Sequence, residues 1–143
     1  EYLEKTLGKK RTQELNPVGT FVKSGISVSA GSDAPCTDPK PILWIYKAVN
    51  HPIEEQRISV YEALRMCTYN GYYATFDENE RGSLEEGKIA DMVILSESPY
   101  DIPKENLMQI KPEQLYLSGK PYENQKKSVL SLVLSGMCSK RKI

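Results

Sequence analysis

Ile26-Ser27-Val28-Ser29-Ala30-Gly31-Ser32-Asp33-Ala34-Pro35 is the stretch on which the fold turns. Its first five residues alternate and are partly β-branched, which predicts a short buried strand. Gly31 and the prolines at 35, 39 and 41 then predict an irregular polar loop. Upstream, Asn16-Pro17 supplies a cap and a first helical residue for a helix through Val18, Phe21 and Val22. Gly25 is placed to end it as a C′ residue. Downstream, Pro41 opens a helix carrying Ile42, Ile45 and Val49 on one side, before a connection over 50–57. Helix, glycine, strand, loop, helix is part of a repeating α/β unit. Such folds gather ligands at the C-terminal ends of their strands. Asp33 stands at that end, where a carboxylate can ligate a metal or move a proton. On spacing alone it equally fits a loop Asp that hydrogen-bonds its own backbone.

Further along, Ser59-Val60-Tyr61-Glu62 is a capping box, starting a helix with Ala63, Leu64 and Cys67 on its apolar face. Asn70-Gly71 is expected to interrupt it, with a further turn through Tyr72-Tyr73-Ala74. At the other end, Leu3 and Leu7 give a weak helical signal over 1–11. Composition shifts near residue 77: residues 77–105 hold nine acidic and three basic side chains, residues 106–143 two acidic and seven basic. The structural period shifts with it. Gly82 to Lys88 is turn chemistry, Met92-Val93-Ile94-Leu95 reads as a strand, and 114–122, with Gly119-Lys120 inside, reads as a hairpin: Leu115-Tyr116-Leu117, a turn, then Tyr122. Asp91, between glycine turns and a strand, is expected to satisfy backbone groups. Residues 124–143, with an apolar run over 129–134 and a basic end, read as a short helix and a solvated tail.

Composition narrows the function classes. Nineteen basic and nineteen acidic residues leave no net charge. That argues against a nucleic-acid binder, which needs excess basic charge. No apolar run approaches the roughly 20 residues that span a bilayer, so no membrane is expected. No leader pattern precedes the first helix. The 39% apolar fraction, unchanged when nine Gly replace nine Tyr in the count, lies below the usual ~45–50%. The chain is therefore expected to share its core with further material. Cys36, Cys67 and Cys138 form no zinc-binding spacing and read as reduced thiols of a cytoplasmic protein. His51, the sole histidine, reads as a surface residue beside Pro52.

Taken in order, Gly31-Ser32-Asp33-Ala34-Pro35, the helix over 42–50, Glu62-Ala63-Leu64-Arg65 with Thr68 and Asn70, Gly82 to Leu95, and Gly119-Lys120 resemble the amidohydrolase superfamily. The likeness is to its amidohydrolase family 3 branch and runs over about residues 17–122. The resemblance implies an α/β fold: the last strand-helix part of an amidohydrolase TIM-like barrel plus strands of a small composite β-sandwich domain. Residues 1–82 would be barrel and following helices, 83–123 sandwich strands, and 124–143 a tail. It implies hydrolysis of carbon–nitrogen, non-peptide amide-type bonds of a small molecule by metal-activated water. Asp33 matches the family's metal-binding and proton-shuttling aspartate, beside a divalent metal, usually zinc. Cys36, just past it, would face the substrate pocket.

The family's remaining ligands, a His-x-His pair, a bridging Lys or acid and two further histidines, match nothing here. They would precede residue 1, which is Glu rather than Met. This chain is thus expected to be a C-terminal fragment that is inactive and binds no metal by itself. Uncovered strand edges and apolar faces would lead it to self-associate, as in a homo-oligomer, to borrow partner surface, or to be partly disordered near residues 1–16 and 124–143. The alternatives are a non-catalytic assembly module, and a cysteine hydrolase pairing Cys36 with His51, which lacks a nucleophile elbow.

Overall fold

Gly25 ends its helix as the sequence predicts. α2 (Val18–Lys23) closes with the Gly25 amide on the Val22 carbonyl and the Ile26 amide on the Phe21 carbonyl, each at 3.0 Å. That paired closure needs a left-handed residue just past the cap, and Gly25 has φ 76°. The start of α2 departs from expectation. Asn16 adopts φ 51° and does not cap; its carbonyl accepts from the Val18 amide at 2.7 Å. The structure, a computed structural model, describes residues 2–123, so the expected helix and tail over 124–143 lie outside it. α1 (Tyr2–Gln13) is longer than the sequence predicts and kinks at Gly8. Gly19 lies against the 3-10 turn Glu54–Gln56, where a Cβ would come within 2.6 Å of Gln56 Cα. The contact is sealed by the Thr20 amide donating to Gln56 Oε1 (3.0 Å) and Gln56 Nε2 donating to Thr20 Oγ1 (2.8 Å).

The expected strand over Ile26–Ala30 forms no ladder among the described residues. Its burial still alternates, with Val28, Ala30 and Ser32 half-buried between exposed neighbours, the two-residue period of a strand. A parallel strand exists only beside strands that hydrogen-bond it, and the three strands described here pair with one another instead. Past the Ile26 amide that closes α2, two bonds hold the segment to α4 and α5: the Ala30 amide donates to the Met66 carbonyl (2.9 Å), and Asn70 Nδ2 donates to the Val28 carbonyl (2.8 Å).

α3 (Pro41–Val49) begins at its proline and buries Ile45, Ala48 and Val49. α4 (Val60–Cys67) carries the full capping box: the Glu62 amide donates to Ser59 Oγ (3.2 Å) and the Ser59 amide to Glu62 Oε2 (2.7 Å). The break after α4 falls at Thr68 (φ −129°, ψ −99°), not at Asn70-Gly71, which lie inside α5 (Tyr69–Thr75). Glycine lowers helix propensity by about 1 kcal/mol without forbidding a helix, and α5 absorbs it. The core is Ile45, Ala48, Val49, Ile58, Ala63 and Met66, closed by Leu107 and Ile110 at the end of the 3-10 helix Lys104–Gln109.

β1 (Met92–Leu95), β2 (Pro112–Leu117) and β3 (Lys120–Pro121) form an antiparallel sheet in that order. Met92 pairs with Tyr116 and Val93 with Leu115; Leu117 pairs with Lys120. Ser118 (φ 50°) and Gly119 (φ 74°) make the turn, both left-handed as a two-residue hairpin prefers. Asp91 ties the turn down, as its sequence setting predicts: Oδ1 accepts from the Ser118 amide (2.8 Å) and Oδ2 binds Arg81 Nη1. Among the described residues the architecture is α/β, helices with one small sheet. Among the described residues no helix is long and apolar enough to cross a membrane.

Candidate functional site

Asp33 sits three residues past the Ala30 tether, at the tip of the extended segment. Its φ of 52° is unusual for a residue with a side chain. The loop around it satisfies its own polar groups. The Cys36 amide donates to the Asp33 carbonyl (2.9 Å), the Ala34 amide to Ser32 Oγ (3.2 Å), and the Thr37 hydroxyl to the Ser32 carbonyl. Asp38 and Lys40 pair at 2.8 Å before α3 begins; the hydrogen bond and attraction from Asp38 raise the lysine's pKa. None of these bonds uses the Asp33 carboxylate. It is exposed and has no hydrogen-bond or ion-pair partner among the described residues. The loop-capping role open to it on sequence grounds is filled by Ser32 and by main-chain groups.

The other chemistry-bearing residues are engaged elsewhere. His51 Nδ1 accepts from the Ile53 amide (3.1 Å), and its carbonyl accepts from Arg57 Nε (2.9 Å), which fixes it in the connection after α3. No bond joins it to Cys36, which is exposed on the Asp33 loop. Cys67 is half-buried in α4, and burial pushes its thiol up to about 11, so it holds its proton at neutral pH and is a poor nucleophile.

Arg65 lies over the Tyr69 ring at 4.4 Å and donates to Tyr61 Oη (3.2 Å). A cavity of about 280 Å³ opens beside it, bounded by Val22, Ile26 and Asn70 among others; Asp33 does not line it.

The residues present do not by themselves fit a metal. Catalytic zinc takes about three protein ligands, and among the described residues no three His, Cys, Asp or Glu side chains cluster to hold an ion. Asp33 offers one ligand at most. The sequence missed one contact near it: Asn70 reads as a helix interruption and a family match, yet its side chain reaches 42 residues back to Val28. Its residue type was the only signal, since a bond across that separation leaves no local pattern.

Comparison with known proteins adds to this geometry. A family model described as "Amidohydrolase family" matches residues 1–122. An N-substituted formamide deformylase of Arthrobacter pascens is 33% identical over 113 residues, covering 74% of this chain and 21% of that protein. A 5-methylthioadenosine/S-adenosylhomocysteine deaminase of Thermoanaerobacter pseudethanolicus is 30% identical over 140 residues, covering 92% of this chain and 30% of that protein. The chain thus spans less than a third of either relative. An adenosine deaminase of Xanthomonas campestris, solved with bound zinc, superposes with a TM-score of 0.62 at 20% identity, over 85% of this chain and 32% of that one. At that identity the likeness is one of fold.

Proposed function

This chain belongs to the amidohydrolase family, and from that premise we propose that it is the C-terminal part of a hydrolase that parts carbon from nitrogen in a small molecule with water. The observation that carries the reading is the Asp33 carboxylate, without a partner among the described residues, at the tip of a tethered, strand-like segment. A deformylase and a deaminase, the two relatives, both name reactions in which a C–N bond is broken. In that chemistry a carboxylate accepts a proton from the attacking water and returns it to the departing nitrogen. Asp33 is free to do this because the loop does not spend its oxygens on backbone amides.

The divalent metal implied by the resemblance, zinc, would take Asp33 as one ligand, with the others outside this chain. Bound, it would lower the pKa of its water to roughly 7. By the same reading residues 1–82 close a barrel and 83–123 contribute strands to a sandwich. The uncovered Val93, Leu115 and Leu117 support the latter. The chain alone would then be inactive.

The test is Asp33→Asn in the complete polypeptide, assayed on N-formyl amines and on amino-substituted purine nucleosides. A loss of about 10²–10⁴ in kcat is expected, with the melting temperature unchanged because the side chain is exposed. Undiminished turnover would remove the assignment.

A further inference from the structure

The geometry points to Asn70 as a positioning residue for Asp33, an inference that rests on the assignment of Asp33 above. The Asp33 carboxylate has no side-chain partner of its own among the described residues. Its place is therefore set by its backbone, and the backbone by what holds the segment before it. Beyond the Ile26 amide that closes α2, the segment makes two bonds to α4 and α5 among the described residues. One is main chain to main chain, Ala30 amide to Met66 carbonyl at 2.9 Å. The other is the Asn70 side chain, Nδ2 to the Val28 carbonyl at 2.8 Å. They grip residues 28 and 30, on the half-buried side of the alternation, from the α4–α5 junction.

The junction is shaped for the reach. Thr68 breaks the helix with φ −129° and ψ −99°, and its hydroxyl donates to the Leu64 carbonyl (2.9 Å). α5 therefore starts off the line of α4, and Asn70 comes in its first turn. Asparagine suits the role because its amide donates to a carbonyl that would otherwise lack this partner. Val28 lies five residues before Asp33, so slack there moves the carboxylate. A displacement of about 1 Å at a reacting group can cost on the order of 10²-fold in rate. Asn70 touches no reacting atom; it acts through the segment.

The experiment uses the complete polypeptide with Asn70→Ala and Asn70→Asp, each alone and combined with Asp33→Asn. Asn70→Asp keeps the shape and removes the donor, so it separates packing from tethering. Both single variants should lower kcat by about 10- to 100-fold with KM unchanged. Both should speed amide exchange over residues 28–33. In the Asp33→Asn background neither should lower the residual rate further, because residues acting as a unit do not add. Parental kcat in Asn70→Ala, recovery in Asn70→Asp, unchanged exchange over 28–33, or losses that multiply in the double variants would each overturn the inference. If Asp33→Asn itself leaves turnover intact, the function proposed above falls as well. If Asp33→Asn removes turnover while Asn70→Ala does not, only the positioning role falls.

Discussion

The helices and the sheet settle their apolar residues in opposite ways. α3 and α4 bury Ile45, Ala48, Val49, Ala63 and Met66 against each other and against Leu107 and Ile110. β1, β2 and β3 bury no side chain fully: Met92, Leu95, Gln114 and Tyr116 are half-buried, with Leu95 against the helical core, while Val93 and Ile94 in β1, and Leu115 and Leu117 in β2, remain exposed. The sheet is held by its ladder, by Asp91 and by the one contact of Leu95 with the core, with no core of its own among the described residues. A small antiparallel sheet needs packing on a face for independent stability. The difference teaches which contacts this stretch of chain completes by itself. The α3–α4 contacts close a core among the described residues, whereas Val93, Leu115 and Leu117 on one sheet face stay exposed and the segment over 26–30 pairs with no strand there.

The strongest way to break that contrast is to remove a side chain from each half. Leu107 is fully buried, and Leu107→Ala should cost about 2–5 kcal/mol in denaturant unfolding of this chain. Leu117→Thr, on the exposed sheet face, should cost less than about 0.5 kcal/mol. In the complete polypeptide the second figure should rise to about 1–3 kcal/mol if the face is covered there. Equal costs in this chain would dissolve the distinction between the halves.

A smaller effect is expected at the sheet's tie. Asp91→Ala removes the acceptor of the Ser118 amide and the partner of Arg81. The ion pair is discounted because Arg81 is 35% exposed. A loss of about 0.5–1 kcal/mol is expected, because the exposed Ser118 amide exchanges its bond for one to water, with amide exchange at 118–121 quickened ahead of the helices. Exchange that speeds up equally in α4 would show one cooperative unit instead of two unequal halves.

The smallest effect separates the loop from the helical core by thiol chemistry. Burial raises Cys67 to about 11 from an ordinary 9.0. The folded state therefore holds that proton more firmly than the unfolded chain. Its contribution to stability is complete below about pH 9 and is lost as pH climbs toward 11. With Cys138→Ser, a disulfide reagent at about pH 8 should label exposed Cys36 well before Cys67. Labelling at one rate would place Cys67 outside the packed face.

Much of this was legible in local sequence. The capping box at Ser59, the glycine stop at Gly25, the proline start of α3, the β1 run and the hairpin turn all depend on residues within a few positions of one another, and each appears as read. The misses have separate causes. Asn16 reads as a cap, yet its left-handed backbone gives its carbonyl to the Val18 amide; Asn70-Gly71 reads as a break, yet Asn70 bonds Val28 across 42 residues from inside α5. The segment over 26–30 keeps the side-chain alternation of a strand but lacks neighbours to ladder with, which no local pattern encodes. For the candidate site, Asp33 was legible from its place after a strand-like run. Its lack of a partner, and the Asn70 tether behind it, required the fold.

The most direct measurement is anomalous diffraction from a zinc-loaded crystal of the complete polypeptide. The account predicts an Asp33 carboxylate oxygen at about 2.0–2.2 Å from the ion. An ion bound entirely by other side chains, with Asp33 still turned to solvent, would contradict it.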